Sequence, residues 1–136
     1  MMVKTKVFLI CLSVMIVLFS AVAACQMYAM ERAIARGIFA DVLDDMQDIG
    51  YLDPALADYY RQKMAELGWD VTGDVFAGSW PQAEQQRALK ERNEMVTLTL
   101  TVRPSRVAQW LNQFAEGNAA FFFTGSRPSE YFDPGW

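Results

Sequence analysis

From Val7 to Met30 the chain carries no charge, and only Ser13, Ser20, Gln26 and Tyr28 dilute a run of apolar and small residues. A helix over this stretch spans about 36 Å, against a hydrocarbon core of about 30 Å. In lipid a single segment satisfies its backbone hydrogen bonds only as a helix, so the pattern predicts one transmembrane helix. Lys4 and Lys6 precede the run, and the next charges are Glu31 and Arg32. That asymmetry places the N-terminus in the cytoplasm and everything from Glu31 onward outside the cell membrane.

Beyond Met30 the apolar character thins to a stripe. Met30, Ile34, Ile38, Val42, Met46 and Ile49 recur at three- and four-residue intervals, which continues the helix amphipathically as far as Gly50, a left-handed cap. Unbroken from Val7 to Ile49, the helix would be about 65 Å long, with Gly37 as its weak point. Asp53 and Pro54 then supply an N-cap and a first turn for a second helix. Its inner face is Leu56, Tyr59, Tyr60, Met64 and Leu67, and Gly68 stops it.

The period then shortens. Residues 69–72 and 74–76 read as short strands around Gly73, and residues 78–90 as a polar loop with a helical turn after Pro81. Met95 to Arg103 alternates cleanly, with Val96, Leu98, Leu100 and Val102 on one face and Thr97, Thr99 and Thr101 on the other. After Pro104, Ser105 caps a short helix with Val107, Trp110, Leu111 and Phe114 along one face and Gly117 at its end. Residues 119–124 form a second strand, followed by a tail of turn residues and three aromatics. An amphipathic helix and a sheet with one apolar face each need a cover, and each can supply the other's. The expected fold is α+β: a long N-terminal transmembrane helix continuing into an amphipathic helix, packed on a small antiparallel sheet. Residues 1–30 form the cytoplasmic tip and anchor, and residues 31–136 the exported domain.

Charge narrows the partners. From Glu31 onward sixteen Asp and Glu face ten Lys and Arg, a net charge of −6, which argues against nucleic acid and anionic lipid headgroups. The lipid around the anchor and neighbouring membrane helices, copies of the chain included, are the expected partners. Cys11 and Cys25 both lie in the apolar run, about 21 Å apart along a helix, so they cannot bridge within one chain. They fall on nearly the same face and could link neighbouring copies.

Three fates of the segment fit the residues. It can stay as an uncleaved anchor; it can be cut at the Ala21-Val22-Ala23 site; or Val22-Ala23-Ala24-Cys25 can act as a lipoprotein box with Cys25 lipidated. Apolar character continues through residues 26–30, and no polar tether follows Cys25, which favours the anchor. All three fates export residues 31–136.

Chemistry is sparse. The sequence has no histidine, no cysteine outside the apolar run and no phosphate-binding glycine loop, so no catalytic residue, cofactor or metal is expected and the chain reads as non-enzymatic. Asp41, Asp44, Asp45 and Asp48 crowd one helical face at the spacing where like charges repel. A basic partner would relieve them, and so would calcium; a solvated polar face is the plainer reading. Residues 70–74 lack a full calcium-loop ligand pattern and read as a turn. Three consecutive rings, Phe121, Phe122 and Phe123, cannot all point inward. Either Phe122 or the pair around it should face away from the core as a subunit contact.

The helix passage Phe39–Leu67 with its Glu66-Leu67-Gly68 stop, the Thr-rich strand Val96–Val102 and the ending Thr124–Tyr131 together resemble the pseudopilin design. Within that design the chain is most similar to small TadE-like membrane proteins of Gram-positive bacteria, including an uncharacterised Firmicutes group. The resemblance implies an accessory component of a pilus, secretion or conjugation-type apparatus. Pilins are usually processed at a glycine and carry a glutamate at the fifth mature position. Here no glycine precedes Gly37 and the apolar run holds no glutamate, so neither prepilin processing nor filament assembly through that glutamate is expected. The other reading is an exported lipoprotein or anchored binding domain acting alone.

Overall fold

The computed structural model describes residues 2–131. Met1, the side chain of Glu91 and residues 132–136, which include Phe132 and Trp136 of the expected aromatic tail, lie outside the described residues. The protein is α+β, in the order α1 (Met2–Ile49), α2 (Pro54–Glu66), β1 (Met95–Val102), α3 (Arg106–Glu116) and β2 (Phe121–Pro128). Short 3-10 turns at Glu84–Gln86 and Lys90–Arg92 lie within the long loop before β1.

Helix α1 is one unbroken 48-residue helix, about 72 Å long. Its first half is long and apolar enough to cross a membrane, and none of that window is buried within the protein. A core helix of a soluble protein would be covered. The exposure is thus consistent with a membrane anchor. Gly37 does not interrupt the helix; a Cβ added there would meet nothing within 4 Å. Gly50, at φ +89°, ends it, donating its N–H to the Met46 carbonyl. Its lack of a side chain is required, since a Cβ would lie 2.5 Å from the Ala88 carbonyl oxygen.

The second half of α1 lies against the β1–β2 sheet. Ala35, Ile38, Val42, Leu43 and Met46 meet Val96, Leu98, Leu100, Val102 and Phe121 in one core, with Trp69, Val75 and Phe76 closing it. The expected stripe is thus shifted at its start: Glu31 and Ala35 face inward, while Met30 and Ile34 are exposed. Met46, Val42 and Ile38 hold their expected places. In α2 Asp53 caps the helix by accepting from the Ala55 N–H at 3.0 Å, and Tyr60 and Met64 are its buried residues. Tyr59 and Leu67, expected on the same inner face, are exposed.

β1 pairs antiparallel with β2, from Met95 opposite Pro128 to Val102 opposite Phe121. The alternation read from β1 is realised, and the outer hydroxyls form a ladder: Thr97 to Ser126 at 2.8 Å and Thr99 to Thr124 at 3.2 Å. β2 runs four residues beyond its expected end at Thr124. Gly125 makes that possible, because the Phe39 ring occupies the space where its side chain would stand, 3.2 Å from a Cβ.

The strands expected within 69–76 do not form. The Asp70 carboxylate accepts from the Thr72 N–H and hydroxyl, the Asp74 carboxylate accepts from the Phe76 N–H, and Arg61 donates to the Val71 and Gly73 carbonyls. These side chains hold the backbone in turns. The stretch from Asp74 to Trp80 nonetheless guards the free edge of β1. The Thr97, Thr99 and Thr101 N–H groups donate to the Trp80 carbonyl, the Ser79 hydroxyl and the Val75 carbonyl. An irregular strap thus occupies the edge on which a further strand could have added.

Two predictions follow from this packing. Gly37→Ala should stabilise the protein by about 0.5–1 kcal/mol, the helical penalty of glycine, whereas Gly50→Ala should destabilise it by at least about 1–2 kcal/mol; denaturant titration in micelles, followed by near-ultraviolet circular dichroism, measures both. Ile38→Asp places an unpaired carboxylate in the core at a position 3 % exposed. A loss on the order of 4 kcal/mol is expected, read as a lowered unfolding midpoint.

Candidate functional site

The most elaborate side-chain chemistry lies where α1 passes from its apolar half into the domain. Glu31, the first acidic residue of the chain, is buried and accepts three hydrogen bonds: from Trp69 Nε1 at 3.0 Å, the Ser105 hydroxyl at 2.7 Å and the Ser105 N–H at 3.3 Å. The side-chain cap expected of Ser105 is not made. That residue occupies the N-cap position of α3, but its hydroxyl turns to Glu31 rather than to its own helix. A buried acid with three donors is satisfied, and it locks α1, α3 and the Trp69 loop together.

One turn earlier, the Tyr28 hydroxyl donates to Asn112 Oδ1 at 2.7 Å, and the fully buried Asn112 amide donates to the Asn118 and Ala120 carbonyls. Arg32 donates to the same Asn112 oxygen at 3.3 Å and pairs with Glu116. That pairing holds the Arg32 guanidinium above its ordinary pKa. Tyr28 also packs its ring on Phe121 at 5.9 Å. Residues 28–32 thus bind the start, middle and end of α3, and Asn112 in turn binds the loop into β2. Tyr28, Glu31, Trp69 and Asn112 were not singled out from the sequence as site residues, and Ser105 was expected only as a helix cap. The one signal was the acid at position 31, in phase with Ala35, Ile38 and Val42 on the apolar face.

The aspartates on α1 diverge. Asp44 pairs with Arg127 of β2, while Asp45 accepts from the Tyr60 hydroxyl at 3.2 Å. Burial, then the Asp45 and Asp41 charges, push the Tyr60 phenol up to about 12. Asp41 and Asp48 are exposed. Among the described residues no group of three or more His, Cys, Asp or Glu could hold a metal ion. Cys11 and Cys25 are exposed free thiols on α1. Of the three phenylalanines, Phe121 is fully buried, Phe123 half-buried, and Phe122 is the ring that faces outward.

A half-open cleft of about 520 Å³ lies between the 70–75 turn, Thr101, Arg103 and residues 118–120. Its two acids are occupied by turn hydrogen bonds. Donation from the Thr72 hydroxyl and N–H holds the Asp70 carboxyl below its ordinary range, so it stays ionised at neutral pH and holds no proton to transfer. With neither thiol nor imidazole lining it, the cleft offers polar surface for contact.

On α3, Val107, Trp110 and Phe114 do share one face, but that face is exposed; Ala108 and Asn112 make the packed side. The amphipathic pattern of the helix is directed away from the protein's own core.

Glu31→Ala should lower stability by on the order of 3 kcal/mol, because it strands the Trp69 N–H and the Ser105 donors in a buried space. Glu31→Gln keeps the shape and one acceptor, so its loss should be clearly smaller. Urea unfolding of the two variants in parallel measures the difference.

Comparison with protein-family models, with curated proteins and with solved structures finds no match for this chain.

Proposed function

We propose that the protein is a single-pass membrane subunit of pseudopilin-like, TadE-like design, a non-enzymatic accessory component of a pilus, secretion or conjugation-type apparatus. In this reading the N-terminus is cytoplasmic and residues 31–136 stand outside the membrane. The observation that carries the proposal is the continuity of α1, whose uncovered apolar half passes without a break into the half that walls the core. A protein that acts alone needs only a tether between lipid and domain. A rigid rod fits a subunit that must hold its domain in register with its neighbours.

Two further features support the reading. Ala21, Cys25 and Ala29 recur every fourth residue and leave a shallow apolar groove on α1 with Val22 and Gln26. Small residues in that pattern let a second helix approach closely in lipid. Outside the membrane, Phe122 and the exposed Asp41 and Asp48 offer an aromatic and an acidic contact to neighbouring subunits.

Mass spectrometry of the chain purified from membranes tests the anchor, and oxidative crosslinking tests the association. An uncleaved, unmodified N-terminal segment is expected, together with disulfide-linked dimers that disappear in Cys25→Ala. A diacylated Cys25 or a chain starting after residue 24 would overturn the reading in favour of a lipoprotein or secreted domain. A strictly monomeric pattern under oxidation would remove the helix-bundling part.

A further inference from the structure

We propose that α3 is an interfacial helix, lying in the headgroup region of the same bilayer that holds α1, with Val107, Trp110, Leu111 and Phe114 turned into lipid. The inference rests on the membrane-anchor reading above and adds a second, peripheral contact to it.

Height comes first. Tyr28 is about 32 Å along α1 from Val7, so the 28–32 turn emerges where a hydrocarbon core of about 30 Å ends. The hydrogen bonds from Ser105 to Glu31 and from Tyr28 to Asn112, with the Arg32–Glu116 ion pair, fix α3 at that level. Direction comes from the same three ties. On α3 they span residues 105–116, about 16 Å of axis, yet on α1 only residues 28–32, about 6 Å. Helix α3 therefore crosses α1 rather than running beside it. With α1 standing through the bilayer, α3 lies along its surface.

The exposed face suits that place. Trp110 and Phe114 are 61 % and 76 % exposed and stack edge-to-face at 4.9 Å. At about 100° per residue, Val107, Trp110, Leu111 and Phe114 form one flank of the helix; Ser105, Gln109, Gln113 and Glu116 form the opposite flank; Ala108 and Asn112 are packed between. A helix with an uncovered apolar flank, a polar flank and Trp at membrane height has the make-up of an interfacial helix. On α1 itself, Met27 and Met30 are exposed at the same level. Arg106, exposed at the start of α3, lies one turn before Trp110 and suits a phosphate headgroup.

Spin labels on the full chain test this, with Cys11→Ala and Cys25→Ala as background and single cysteines at Phe114→Cys, Gln113→Cys and Val17→Cys. The protein is reconstituted in vesicles of phosphatidylcholine and phosphatidylglycerol, and collisions with oxygen and with a water-soluble nickel chelate are measured. The label at 114 should show a several-fold higher oxygen-to-nickel ratio than that at 113. Acyl-brominated lipids should quench the emission that Trp110→Phe removes from the otherwise native chain. Equal nickel access at 113 and 114, with 17 still in lipid, would overturn the interfacial helix and leave the anchor standing. A label at 114 shielded from both reagents would mean that protein covers the face, and would overturn it too. Nickel access at 17 would overturn the anchor itself, and the inference with it.

Discussion

A helix that enters a protein core straight from an apolar segment, without a joint, has its rotation set at both ends. In α1 the setting is enforced at residues 28–32. Tyr28 must reach Asn112, Glu31 must reach Trp69 and Ser105, and Arg32 must reach Glu116. Each of these is a directional bond made in a partly dry environment, where a missing partner costs far more than a made one contributes. The packed stripe from Ala35 to Met46 follows from that phase, because a helix rotated at residue 31 would carry Ile38 and Val42 away from the sheet. Among the described residues the sheet has two strands, too few to be stable alone, so it depends on α1 for its cover and on the 74–80 strap for its edge.

The polar turn also explains why a buried acid is tolerated so close to an apolar segment. Glu31 sits at the N-terminus of α3, where a negative charge is favoured by the helix dipole, and it holds the Ser105 N–H and hydroxyl from another helix. A bond made across elements at this point joins tertiary structure to the start of the helix. The short α3 can therefore be held firmly even though its apolar side is turned away from the core.

What could be read from the residues divides along physical lines. β1 was legible because its period-2 alternation has no competing interpretation, and the stops at Gly50, Gly68 and Gly117 were legible because each takes a left-handed backbone. Pleating alone left two choices for the outward ring, Phe122 or the pair around it, and the burial of Phe121 in the core makes it Phe122. The far end of β2 was not legible: Gly125, Ser126, Arg127 and Pro128 have the composition of a turn, and only the Phe39 ring above Gly125 shows why they pair. The short strands expected around Gly73 failed because side-chain hydrogen bonds from Asp70, Asp74 and Arg61 claimed the backbone first. Periodicity identified the apolar face of α3 correctly but carries no information on what lies opposite it. The polar turn was hardest to see, since a charge next to a hydrophobic run reads as the place where burial ends, whereas Glu31 is where it begins.

The groove formed by Ala21, Cys25 and Ala29 points roughly a quarter-turn away from the core-facing stripe of the same helix. Without a hinge between them, that bearing is permanent. Any helix seated in the groove would find the same side of the outer domain above it, in every copy. An azimuth chosen along the apolar half is in this way written onto the domain, some tens of ångströms distant, by nothing more than the stiffness of one coil of backbone.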